Sequence, residues 1–241
     1  MRRYLSQAMP ALVLLALSTG VFAADAAPAA KGGVSVMDLY IHSMPVGGIL
    51  TILSLVCFSL ALQWTFTLKR DDFIPPGLAD DVHNAFAEGV TPESIENARN
   101  AVGTDASFLG NVLAAALDKH PFGYQAMREA AESVGIAEHN KYTSKVAWLS
   151  LFSSSATLLG LLGTVSGIIG SFLKMGDSAN VDPQKLATSI GEALVCTFIG
   201  LAIAILGLYF FFFLRSRVNQ AAVDISIIAN EILDYFRPAA H

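Results

Sequence analysis

Glu192 is the residue whose setting demands a chemical explanation, because it lies inside the unbroken apolar run Leu186 to Leu214, about two turns from its start. A carboxylate near a bilayer centre costs on the order of 2.5 to 3.5 kcal/mol, so such groups face a bundle interior or a wet cavity and mark ion or proton pathways. No Lys, Arg or His lies in any apolar run of the chain to neutralise it. Apolar surroundings without a counter-charge favour the protonated acid, which suits the group to binding and releasing a proton. The hydroxyls able to solvate or relay that proton are Thr188, Thr164 and Thr197. On an ideal helix Thr188 and Cys196 share the face of Glu192, whereas Thr197, about 140° around, faces an adjoining helix or subunit. The plainer alternative is that Glu192 reaches external water or fixes helix packing.

A second pattern precedes it. Gly160, Gly163, Thr164, Gly167 and Ser171 recur at spacings of three and four, forming one stripe where another helix backbone can approach closely. Helix packing alone accounts for such a stripe more readily than a conduit does, since small-residue stripes occur in many bundles that conduct nothing.

The elements that position these residues are membrane spans. The 241-residue chain is 54% hydrophobic and 15% charged, with a mean hydropathy of +0.53, which is too apolar for a soluble domain. Its net charge of -5 argues against a nucleic-acid binder. Cys57 and Cys196 each sit within an apolar run and suggest neither a disulfide framework nor a zinc site. There is no glycine-rich phosphate loop and no nucleophile motif. His42, His83, His120, His139 and His241 all lie outside the apolar runs and read as surface residues, so no enzyme activity, cofactor or metal is expected.

Arg2-Arg3, an apolar run from Ala11 to Leu17 and small residues around Val21-Phe22-Ala23 read as a signal peptide over 1–23, cut after Ala23. A periplasmic segment follows at 24–45. Transmembrane helices are expected over 46–68, 146–173 and 186–214, the last about 43 Å long and therefore tilted or projecting beyond the bilayer. Lys69, Arg70, Lys141, Lys145, Arg215 and Arg217 fall on one side and Lys31, Lys174 and Lys185 on the other. The richer side should be cytoplasmic, placing the mature N-terminus in the periplasm.

Between the first two spans, 69–145 reads as a cytoplasmic domain of several short helices, broken at Pro75-Pro76-Gly77, Gly89, Gly103 and Pro121. Thr91-Pro92 is a helix start. From Gly123 onward, Met127, Ala131, Val134 and Ala137 keep helical spacing and run without a breaker into the second span, predicting one long helix. A periplasmic turn occupies 174–185, and Asp182-Pro183 caps the third helix. After it, 215–241 forms a cytoplasmic C-terminal helix in which Val218, Ile225 and Ile232, with Ala222, Ala229 and Phe236, make a packing seam for self-association or for docking on the helix before the second span.

Two segments carry a specific resemblance. Leu158-Leu159-Gly160-Leu161-Leu162-Gly163-Thr164-Val165-Ser166-Gly167-Ile168-Ile169 and Ile190-Gly191-Glu192-Ala193-Leu194-Val195-Cys196-Thr197-Phe198-Ile199-Gly200-Leu201 resemble the signature of the MotA/TolQ/ExbB proton-channel family, its ExbB branch most. The resemblance implies an all-α, three-span inner-membrane protein assembled as a homo-oligomeric ring, typically a pentamer. It implies an ExbD-like single-span partner and a TonB-like protein driven by proton flow to power outer-membrane import. By matching position, Glu192 would be the pore carboxylate, with Thr164 and Thr197 lining the same conduit and Gly160, Gly163, Gly167 and Gly200 forming the packing or pore stripe. Family members commonly carry proline where this chain has Thr157 and Leu206, which puts any hinge there in doubt.

Overall fold

The computed structural model describes residues 46–87, 89–103, 105–176 and 183–237. The expected signal peptide and the tether after it lie outside these residues, as does Asp182. In chain order the elements are α1 (Val46–Thr67), α2 (Arg70–Phe73), α3 (Leu78–Phe86), α4 (Pro92–Gly103), α5 (Phe108–Asp118), a 3-10 turn (His120–Phe122), α6 (Tyr124–Gly176), α7 (Pro183–Leu233) and a closing 3-10 turn (Asp234–Phe236). Among the described residues there is no strand. Helices α1, α6 and α7 are each long and apolar enough to cross a membrane, making this an all-α, multi-pass membrane protein.

Two helices outrun the apolar stretches they contain. α7 does not end where its apolar stretch does; it continues through Arg215 and Arg217 to Leu233, so the C-terminal helix is the third span prolonged. Charge ends a hydrophobic span but does not end a helix, and no Gly or Pro stands between Leu208 and Leu233 to break it. Similarly α6 runs from Tyr124 through Gly176, past the end of its apolar stretch. Neither helix is interrupted at Thr157 or Leu206.

The chain divides into two compact units. One holds Leu149–Phe210 with the stretch up to Ser59; the other holds Leu60–Trp148 with the stretch from Phe211.

In the second unit, short helices pack on the extramembrane parts of α6 and α7. Gly77, at φ +97, takes a left-handed turn after Pro75-Pro76 to start α3, and Gly123, at φ +91, separates the 3-10 turn from α6. Thr91 caps α4 reciprocally with Ser94: the Ser94 amide donates to Thr91 Oγ1 at 3.1 Å, and the Thr91 amide to Ser94 Oγ at 2.8 Å. Phe73, Phe108 and Tyr142 meet as an aromatic cluster, with Tyr142 ring centroids 4.9 Å from Phe73 and 5.9 Å from Phe108. Burial there pushes the Tyr142 phenol up from its ordinary value.

The Met127 stripe is buried at Met127 and Ala131, half-buried at Val134 and exposed at Ala137. Glu138 turns inward instead and accepts from Asn111 Nδ2 at 3.2 Å and Lys141 Nζ at 3.0 Å. The seam residues Val218, Ile225, Ala229 and Ile232 are buried within the chain. His139 Nε2 lies 3.0 Å from Asn219 Oδ1, and Phe86 meets Phe236 with ring centroids 5.2 Å apart. Of the two uses expected for the seam, docking on α6 is thus realised within one chain.

Candidate functional site

The first unit is built on the crossing of α6 and α7. Two heptads of small residues oppose each other: Ser153, Gly160 and Gly167 on α6, and Gly207, Gly200 and Ala193 on α7. A Cβ at Gly200 would stand 2.6 Å from the Ala156 carbonyl oxygen and 3.1 Å from Gly160 Cα; one at Gly160 would stand 3.2 Å from Thr197 Cα. At Gly167 it would meet Ala193 Cβ at 2.8 Å, and at Gly163 the Cys196 Cβ at 3.0 Å. All four glycines singled out in the sequence are therefore occupied in the contact between two helices of one chain, where backbones approach only because side chains are missing.

That approach is what lets Thr197 act across the interface. Its Oγ1 donates to the Gly160 carbonyl at 2.8 Å, a reach that Gly160 permits by having no Cβ. Thr197 thus faces an adjoining helix, as its angle from Glu192 requires. Thr164 is 8% exposed and donates to Leu161 O of its own helix at 2.7 Å. Both hydroxyls spend their proton on a backbone carbonyl, and each oxygen keeps lone pairs able to accept from a water or a protonated group. Thr188 likewise donates to Gln184 O at 3.0 Å.

Glu192 is half-buried. Among the described residues its carboxylate has no ion pair; the three that occur join Arg70 to Asp224, Arg99 to Asp118 and Lys141 to Glu138. Ile203, eleven residues further and so within about 20° of Glu192 on the helical wheel, packs with Val46, Leu53 and Leu159 around the buried core of Leu50, Ala156 and Cys196. Glu192 consequently shares the flank of α7 on which α1 packs, while Thr197 points into the α6 contact. Within one chain the structure brings Thr197 to Gly160, and Gly163, Gly167 and Gly200 to α7 or α6.

The contact at Gly207 escapes sequence reasoning based on the α6 stripe. Ser153 Oγ occupies the place of its absent Cβ, and Cys57 Sγ lies 3.0 Å from the same point, so α1, α6 and α7 converge there. The signal is the seven-residue period itself, Ala193, Gly200, Gly207, which mirrors Ser153, Gly160, Gly167.

Both spans also leave large apolar side chains outward at near-heptad spacing: Leu158, Leu162, Val165, Ile169 and Phe172 on α6, and Leu194, Phe198, Leu201 and Ile205 on α7. Among the described residues no group of His, Cys, Asp or Glu could hold a metal ion.

The profile of the MotA/TolQ/ExbB proton channel family matches residues 104–226, which include both spans of the site. The chain is similar to the biopolymer transport protein ExbB of Xanthomonas campestris pv. campestris, 33% identical over 121 residues covering 50% of this chain and 46% of that protein. The chain thus spans about half the length of that relative. It is also similar to the putative biopolymer transport protein ExbB-like 1 of Synechocystis, 29% identical over 209 residues covering 84% of this chain and 75% of that one. A putative ExbB homologue of Methanothermobacter thermautotrophicus is 26% identical over 187 residues, 76% of this chain and 65% of that protein.

Proposed function

This chain belongs to the MotA/TolQ/ExbB proton channel family, and from that membership we propose that it is the ExbB-like subunit of an inner-membrane energy transducer that uses proton flow to drive outer-membrane import. The observation that carries the reading is Glu192, an acid two turns into a membrane span with no cation in any span to neutralise it. A membrane potential is worth about 2.3 kcal/mol per charge per 100 mV, and coupling it to motion requires a group whose charge changes as the proton arrives and leaves.

In this reading the chain forms a homo-oligomeric ring, a pentamer, with α6 and α7 toward its centre and α1 toward lipid. The outward Leu and Phe rows of α6 and α7 supply an apolar wall for the transmembrane helices of an ExbD-like partner, and a TonB-like protein receives the work. The mature N-terminus is periplasmic and the short helices are cytoplasmic. Glu192 binds and releases the proton. Thr164 and Thr197 contribute their acceptor lone pairs to the same proton path.

A scaffold reading draws on one specific observation, that Gly160, Gly163, Gly167 and Gly200 are all used in helix packing. Glu192→Gln separates the two, because Gln keeps the size and hydrogen bonding of the side chain but cannot ionise. On the transducer reading the variant assembles normally with its partner and loses proton-dependent uptake. A Gln variant that assembles and still supports uptake at near wild-type rates makes the carboxylate structural.

A further inference from the structure

Just past the apolar end of α7, one helix face changes character within a turn. Phe212 is 62% exposed, and below it Arg215, Ser216, Asn219 and Gln220 follow on the same side, lining with Val223 and Asp224 an open groove of about 520 Å³. That volume is within the range of small-ligand sites. The Arg215 guanidinium lies over the Phe211 ring at 5.7 Å, which restrains it beside the helix. Gln220 Nε2 donates to Ser216 Oγ at 3.4 Å, leaving the serine proton free for an external acceptor. The acid in the groove is already compensated, since Asp224 Oδ2 accepts from Arg70 at 3.1 Å. What remains is one uncompensated cation, several neutral donors and an exposed aromatic ring directly on the membrane side.

We propose that this face binds an anionic phospholipid of the adjacent leaflet, with the phosphodiester held by Arg215, Ser216 and the Asn219 and Gln220 amides and an acyl chain lying along Phe212. The chemistry selects this occupant over a zwitterionic lipid. A choline headgroup carries its own cation and cancels the attraction, whereas a headgroup of net charge -1 matches the single free guanidinium. An aromatic ring at the depth where the chain leaves the hydrocarbon suits the first acyl methylenes. The inference rests on α7 spanning the membrane and is independent of the transducer reading.

The test uses the full-length protein in detergent, with phosphatidylglycerol or phosphatidylcholine of matched acyl chains added and retained lipid counted by native mass spectrometry. Wild type should retain phosphatidylglycerol preferentially. One basic residue at a membrane surface accounts for roughly a fivefold change in affinity, so Arg215→Gln should lower phosphatidylglycerol retention about fivefold, toward the phosphatidylcholine level. Ser216→Ala/Gln220→Leu, which keeps every charge, should lower it too, and Phe212→Ser should weaken retention of both lipids. Equal retention of the two lipids by wild type overturns the proposal, as does an Arg237→Gln control that loses as much as Arg215→Gln. Thermal protection by inorganic phosphate alone equal to that by phosphatidylglycerol overturns it by making the acyl contact irrelevant. An Arg215→Gln variant with changed oligomer mass and unchanged lipid retention puts a neighbouring subunit on this face, and also overturns it.

Discussion

Gly200→Ala tests whether the α6–α7 crossing is as tight as its geometry says. The added methyl would sit 2.6 Å from the Ala156 carbonyl oxygen and 3.1 Å from Gly160 Cα, where ordinary contact begins at 3.4 Å. Both obstacles are backbone, so no side chain can swing aside and the helices must part by about 0.8 Å, the gap to ordinary contact. Overpacking of this kind costs roughly 1 to 3 kcal/mol. The same displacement carries the Thr197 to Gly160 bond, now 2.8 Å, beyond hydrogen-bonding distance, losing about 0.6 kcal/mol, the average for interhelical bonds in membranes. Against this, Ala is the better helix former by up to about 1 kcal/mol. The net expectation is a loss of about 1 to 3 kcal/mol. Gly170, on the same helix as Gly160 but with open space at its Cβ position, is the control: Gly170→Ala should be neutral or stabilising. Unfolding of the purified full-length protein in mixed detergent micelles, titrated with dodecyl sulfate, reads both. A Gly200→Ala protein as stable as wild type, or a Gly170→Ala protein that loses as much, refutes the reasoning.

Thr197→Val should destabilise the same hairpin by about 0.6 kcal/mol in that assay, and Thr164→Val, whose bond stays within one helix, should cost less while both impair transport only in part. Thr91→Ala removes the acceptor of the Ser94 amide and should cost about 1 kcal/mol, seen as faster hydrogen exchange at the start of α4. The Tyr142 phenol is raised above its ordinary 10 by burial, so the unfolded chain gives up this proton first as pH rises. Its contribution is whole below about pH 10 and is lost as pH climbs through the raised folded value; the melting temperature of Tyr142→Phe should fall less steeply than wild type over that range.

The spans and the broken helical segment between the first two were legible because hydropathy and breakers are local properties. Thr91-Pro92 starts α4, and the Val218 to Ile232 seam is buried, because a cap and a period depend on neighbours a few residues apart. The pairing of Gly160 with Gly200 is different in kind. Each glycine advertises that something comes close, but which carbonyl it meets depends on how far two helices slide past one another, and the stripe on α6 does not say. Gly207 is silent in the sequence for the same reason: its partner, Ser153, is a small polar residue among three consecutive serines. The end of the third apolar stretch and the end of α7 are different boundaries. Arg215 and Arg217 mark where lipid stops, and that boundary belongs to the solvent, not to the backbone.

The opposed heptads fix a number: Ser153 with Gly207, Gly160 with Gly200 and Gly167 with Ala193 each sum to the same register. Sliding α6 past α7 by one turn would bring Gly200 to Gly163 and Thr164, Gly207 to Ala156 and Thr157, and Ala193 to Gly170 and Ser171, again small against small. The next register of this kind is therefore one helical turn away, a translation of about 5.4 Å. The pair thus has a second register within one turn, and the Thr197 to Gly160 hydrogen bond is what distinguishes the register it occupies. The seam is a detent: close contact allows more than one setting, and a single hydroxyl marks the one in use.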